Sequence, residues 1–213
     1  MKEFVLGSAF LMFISSLPAG VSNGHTVQLE PQLAPQKAAF LQSFGNSLPP
    51  IGYVTFCREH EAECKPSGPI VDRMQLTAQK RADLEQVNRY VNQSVSPVTD
   101  LDLYGKVEVW TYPSGKGDCE DYVLLKRKLL IDAGWPRSAL LITVVRDKKG
   151  DGHAVLMVKT DRGEFVLDNQ EQRVLPWRET GYRYVKRQSQ VSPNVWVSLG
   201  DTQTTSMVAA KGE

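Results

Sequence analysis

Apolar residues fall at helical spacing twice along the chain. After Thr77, an N-cap residue type, Leu84, Val87 and Val91 recur with Arg81, Glu85 and Arg89 between them. This spacing predicts an amphipathic helix that ends near Asn92 and is closed by Ser96-Pro97. A longer helix is predicted from Asp118 to Ala133, with Gly134 and Pro136 as stop signals. At about 100° per residue, Cys119 shares an arc with Tyr122, Val123, Leu129, Leu130 and Ala133. Glu120, Asp121, Arg127, Lys128 and Asp132 fall opposite, and Lys126 is the one discordant member of the apolar arc. The thiol in the first turn of this helix therefore faces the core.

The pattern then changes to that of strands. Leu140 to Val145, His153 to Val158 and Glu164 to Asp168 are β-rich runs, separated by turns at Asp147 to Gly152 and at Thr160 to Gly163. The second and third runs form a hairpin that brings His153, at the start of one strand, and Asp168, at the end of the other, to the same end of a sheet. A loop of two or four residues puts them on the same face; a three-residue loop without a bulge does not. With a Thr160-Asp161 loop they are directly opposed, and with a four-residue loop they are two positions apart. Elsewhere Tyr53 to Phe56 reads as a brief strand, Asp100 to Tyr104 as an acidic loop, and Val107 to Trp110 as extended chain before a turn at Pro113-Ser114-Gly115. Tyr182 to Val185 and Val195 to Val197 are further strand candidates. His25 to about Pro50 is a polar, proline-containing lead-in with one apolar patch from Ala38 to Phe44.

Composition changes the reading of the cysteine. Residues 1–23 carry Lys2, an apolar run from Phe4 to Ile14 and small or turn residues to Gly20, as in a secretory signal peptide too short to anchor in a bilayer. The mature chain is thus expected to be soluble and periplasmic or secreted, with a single domain over 24–200 and a disordered polar tail over 201–213. In an oxidising compartment cysteines pair. Of the three present, Cys57 and Cys64 are placed to close a small disulfide loop, which leaves Cys119 alone. A lone cysteine is often a small buried hydrophobe, but a thiol left free in that compartment calls for a chemical reason. The net charge of +1 gives no electrostatic case for nucleic acid or an anionic membrane.

A thiol at a helix start, an imidazole and a carboxylate make the parts list for nucleophilic catalysis: Cys119 as nucleophile, His153 as proton carrier, Asp168 as the group that orients the ring. The backbone N–H of Cys119 and the indole N–H of Trp110 are candidate donors to an acyl oxyanion. Asp118, Glu120 and Asp121 crowd negative charge around the thiol and oppose its ionised form. They read either as dipole-complementing caps or as oxygen ligands for Ca²⁺, which needs six to eight oxygens; Asp100, Asp102, backbone carbonyls or water would complete the shell.

The blocks Gly117-Asp118-Cys119-Glu120-Asp121-Tyr122 with Lys126 and Gly134, then Gly152-His153-Ala154-Val155-Leu156, then Val166-Leu167-Asp168-Asn169 resemble the bacterial transglutaminase-like cysteine proteinase family and its LapG-like periplasmic branch. Trp110 and Pro113 fit a W-x-x-P-x-E stretch of that branch, with Gly115 in place of the acid. The resemblance implies an α+β, papain-like and transglutaminase-like fold, with a central helix packed on an antiparallel sheet. It implies a Cys119-His153-Asp168 triad and calcium on Asp118 and Glu120. It further implies cleavage of a surface adhesin that holds biofilm cells, under an inner-membrane receptor that senses cyclic di-GMP. The residues thus predict a secreted thiol endopeptidase. The alternatives are a transglutaminase-type acyl transferase and a calcium-stabilised binding module without turnover.

Overall fold

The computed structural model describes residues 39–200, so the expected signal peptide, most of the lead-in and the polar tail lie outside the described residues. The described residues belong to one compact unit, Lys37–Glu213. Its elements in chain order are β1 (Asn46–Ser47), α1 (Ile51–Glu59), a 3₁₀ turn at Glu61–Cys64, α2 (Ala78–Ser94), β2 (Ser96–Pro97), α3 (Asp100–Tyr104), β3 (Lys116–Gly117), α4 (Cys119–Asp132), β4 (Leu140–Arg146), β5 (Gly152–Thr160), β6 (Gly163–Leu167), β7 (Leu175–Pro176), β8 (Arg183–Gln188) and β9 (Trp196–Ser198).

Among the described residues seven strands form one sheet in the order β1-β9-β8-β4-β5-β6-β7, each pair antiparallel. The sheet is covered on both faces, which is why β4 and β5 are near-continuous apolar runs and do not alternate. Leu140, Ile142, Val144, Ala154, Leu156 and Val158 pack with Cys119, Val123, Leu124 and Leu130 of α4. Val145, Val155, Met157 and Val166 face the other way, against Tyr184, with Leu41, Trp177 and Tyr182 at the edge of that cluster. Each fully buried Leu or Ile contributes about 1.5–3 kcal/mol, so the contact of α4 with β4 and β5 is a main anchor for the residue that opens α4.

Both predicted helices form. Thr77 caps α2, its hydroxyl accepting from Lys80 N–H at 3.2 Å. α4 ends before Gly134, whose φ of +84° is the left-handed conformation a glycine adopts at low cost after a helix. The arc opposite Cys119 is not a solvated face, however: Glu120, Asp121 and Arg127 are buried, while Ala133, expected inside, is exposed. α2 packs on α4 as well as the sheet, so little of the first two turns is left to solvent.

Three local expectations are corrected. Tyr53 to Phe56 is part of helix α1, where Tyr53 and Phe56, three residues apart, both turn inward. The Tyr53 ring meets Trp110 at 5.6 Å and Trp196 at 5.4 Å, contacts that four residues of sequence do not reveal. Asp100 to Tyr104 is the short helix α3, capped by Thr99, whose hydroxyl accepts from Asp102 N–H at 3.2 Å. Val107 to Trp110 is not extended throughout, because Glu108 sits at φ +62°, the only non-glycine residue with positive φ among those described. Cys57 and Cys64 are joined as a disulfide, and Cys119 is the free, buried thiol.

Candidate active site

Cys119 is the first residue of α4, after Asp118 at the N-cap position. The turn before it is tight: a Cβ on Gly117 would lie 2.4 Å from Asp121 Oδ2, so only glycine fits without displacing that carboxylate. α4 packs on β5, the strand carrying His153 at its second position, and the Cys119 side chain lies in the same core cluster as Ala154. The thiol is thus held beside the strand residue that follows the histidine.

His153 and Asp168 meet across the sheet. The β5–β6 loop is the two-residue Asp161-Arg162, one position later than the Thr160-Asp161 option, since Thr160 pairs with Gly163. Leu156 pairs with Leu167, so the next step of the register places Asp168 opposite Val155, two positions from His153 and on the same face. His153 Nε2 lies 2.8 Å from Asp168 Oδ1, both side chains buried. His153 Nδ1 is also buried and has no hydrogen-bond partner within the described structure.

Several groups missing from the sequence reading fix Asp168. Asn88 Oδ1 accepts from Asp168 N–H at 3.0 Å, and Asn92 Nδ2 donates to Asp168 O at 2.8 Å. These asparagines stand one helical turn apart on the inner face of α2, beside Leu84 and Val91. A polar pair on an otherwise apolar face was the available signal. Tyr182 O–H donates to Asp168 Oδ2 while its ring stands edge-on to His153, with centroids 5.7 Å apart. No spacing in the sequence points to Tyr182. Burial alone would raise the Asp168 pKa, but bonding to His153 and Tyr182 holds it below the usual value. Lys126, the discordant residue, is buried with Nζ unbonded, 5.7 Å from the Tyr122 ring centroid. Burial lowers its pKa to about 7 against the opposing pull of Asp168.

The acidic residues form a second feature. Asp100, Asp118 and Glu120 are all buried and offer carboxylate oxygens that lie within 4.8 Å of one another. Asp100 Oδ1, Asp118 Oδ1 and Glu120 Oε1 are buried without a hydrogen-bond partner in the described structure. Burial, joined by the Asp118 charge, pushes Glu120 well up, and burial raises Asp118 and takes Asp100 to about 6. Asp100, expected only to help complete a shell, is thus a full member. Asp121 stands outside the trio, its Oδ1 accepting from Thr111 N–H at 2.9 Å and its pKa raised to about 8, chiefly by burial. The thiol donates to Glu120 Oε2 at 3.2 Å, and burial together with Glu120 and Asp118 raises the Cys119 pKa. Trp110 Nε1–H, the candidate oxyanion donor, donates to Glu108 Oε2 at 3.2 Å.

A thiol opens a helix that packs on the strand bearing a carboxylate-bound histidine, within an α+β sheet fold. The family model described as bacterial transglutaminase-like cysteine proteinase BTLCP matches residues 43–204, and the chain belongs to that family. Among solved structures, Legionella pneumophila LapG is 22% identical, covering 71% of this chain and 81% of its own with a TM-score of 0.48. A calcium-bound form of the same protein is 20% identical (73% and 85% covered, TM-score 0.48) and an EGTA-treated form 21% identical (72% and 78%, TM-score 0.47). No curated protein matches the chain.

Proposed function

We propose that the chain is a calcium-dependent endopeptidase of the periplasm or cell exterior, with Cys119, His153 and Asp168 as its catalytic triad. The observation that carries this reading is the His153–Asp168 pair, which uses Nε2 and leaves Nδ1 unbonded in a buried site on the strand against which the helix opened by Cys119 packs. In this reading Nδ1 takes the Cys119 proton, and the thiolate attacks the scissile carbonyl. The Cys119 N–H, at the start of α4, donates to the oxyanion. The imidazolium then protonates the leaving amine and water hydrolyses the thioester. Asp168 holds the ring in one tautomer and stabilises its charged form.

The donor set Asp100, Asp118 and Glu120 fits a hard divalent cation. Three buried carboxylates with unbonded oxygens are costly without one, and all-oxygen ligation favours Ca²⁺, with water or backbone oxygens completing the shell. Calcium there would neutralise the charges that oppose a Cys119 thiolate. A Glu120 carboxylate engaged in this way no longer competes with His153 for the thiol proton. The disulfide supports an extracytoplasmic location. Family membership supports a protein substrate; we assign it to a surface adhesin and propose regulation by an inner-membrane cyclic di-GMP receptor.

The test is release of surface proteins from intact cells, quantified by mass spectrometry with purified wild type or Cys119→Ser, in calcium or in EGTA. The reading expects a defined set of released fragments from wild type in calcium alone. Equal release by Cys119→Ser would overturn it.

A further inference from the structure

The third turn of α4 carries a buried cation that the proposed active site does not use. Arg127 is 5% exposed, and its one hydrogen bond among the described residues runs from Nε to Leu140 O at 3.1 Å. A guanidinium has five N–H donors, and no carboxylate lies within ion-pair distance of Arg127 among the described residues. Its terminal nitrogens are not sealed in the interior but open on a cavity, where an acceptor can meet them. Arg127 lines a cavity of about 200 Å³ on the side of the protein that carries the Pro66–Ile70 loop.

The buried polar side chains Gln188 and Ser138, with Gln190 beside them, are already engaged. Gln188 donates to Tyr53 Oη and Pro193 O, and its Oε1 accepts from Ile142 N–H. Gln190 donates to Val71 O, Asp72 O and Ser138 O, and Ser138 Oγ accepts from Val71 N–H. Arg137 uses Nη1 alone, on Glu63 O and Glu63 Oε2 at 2.9 and 3.0 Å. The wall therefore presents two guanidiniums against one paired carboxylate, a surplus of one positive charge. Pro66, Pro69, Ile70, Leu141, Val191 and Pro193 supply the apolar remainder.

We propose that this cavity is a binding site for a small organic carboxylate, its charged end on Arg127 and Arg137 and a short apolar body against the prolines and Ile70. A planar carboxylate matches the fork of a guanidinium, and the volume admits a few heavy atoms beyond it. Two sources share this chemistry: a free short-chain acid and the C-terminus of a peptide that ends in an apolar residue.

The test is a thermal-shift titration of the full chain with butyrate, N-acetylleucine, N-acetylleucine amide and sodium chloride at matched ionic strength. The site expects a saturable rise in Tm with one or both carboxylates and none with the amide or chloride. N-acetylleucine acting alone identifies a peptide terminus; butyrate acting equally identifies a short acid. Arg127→Lys keeps the charge and loses the fork, and the half-dissociation concentration should rise at least tenfold. Arg137→Gln serves the same purpose should Arg127→Lys lose its cooperative transition. An equal rise with chloride, no rise with either carboxylate, or undiminished binding in the folded variant would overturn the proposal.

Discussion

Replacing Lys126 by Met tests how the environment beside Asp168 treats charge. Lys126 has no exposed surface and no hydrogen bond at Nζ, and burial brings its pKa from 10.5 to about 7. The gap is equivalent to about 5 kcal/mol at 1.36 kcal/mol per pH unit. Because the folded value is depressed, the unfolded chain binds a proton that the folded chain does not between about pH 7 and 10.5. Stability from this residue therefore rises with pH across that window, by up to about 1.4 kcal/mol per unit, and the full penalty is felt below it. Met has similar length and no proton to bind, so Lys126→Met should be more stable than wild type at pH 6 by several kcal/mol, with the advantage reduced to about 1 kcal/mol by pH 10. Urea unfolding of both proteins at pH 6, 7, 8, 9 and 10 reads the difference directly, since all other groups titrate alike. A difference that does not change with pH would refute the reasoning, because it would mean that Lys126 keeps its proton in the fold.

Other perturbations have definite outcomes. Tyr182→Phe removes one charge-assisted donor from Asp168, a bond worth about 1.5–3 kcal/mol, so iodoacetamide alkylation of Cys119 should slow about tenfold or more while far-UV circular dichroism stays unchanged. EGTA should lower Tm, and Asp100→Asn should remove the calcium response; an identical melting curve with and without EGTA counts against the metal. Replacing both Cys57 and Cys64 by Ala opens a short loop and should lower stability by about 2–3 kcal/mol, read by urea denaturation. A Cβ on Gly52 would lie 2.2 Å from Trp110 Cδ1 and 2.8 Å from Glu108 O. Gly52→Ala should therefore cost about 1–3 kcal/mol in the same assay.

What was legible in the sequence was what local pattern encodes. The Thr77 cap, the α4 stop at Gly134 and the runs that became β4, β5 and β6 each depend on neighbours a few residues away. Parity put His153 and Asp168 on one face only for a two- or four-residue loop, and the pairing of Thr160 with Gly163 supplies a two-residue loop, one residue later than the option considered. The rest depends on distant partners. Tyr53 to Phe56 has strand-like composition, yet Trp110 and Trp196 decide that Tyr53 and Phe56 share one side of a helix. Glu120 and Asp121 looked solvated because a helical wheel does not include α2 or the loop before α4. Asn88, Asn92 and Tyr182 reach Asp168 from 80, 76 and 14 residues away. Such separations leave no periodic trace.

The central claim is that His153 draws the proton from Cys119 and Asp168 sustains it in doing so. The most direct measurement is the second-order rate of Cys119 carboxamidomethylation at neutral pH in calcium, followed by intact-protein mass spectrometry, for wild type, His153→Ala and Asp168→Asn. The account predicts that wild type reacts faster than a free thiol and that both variants lose the excess while remaining folded. Equal rates in all three folded proteins would contradict it.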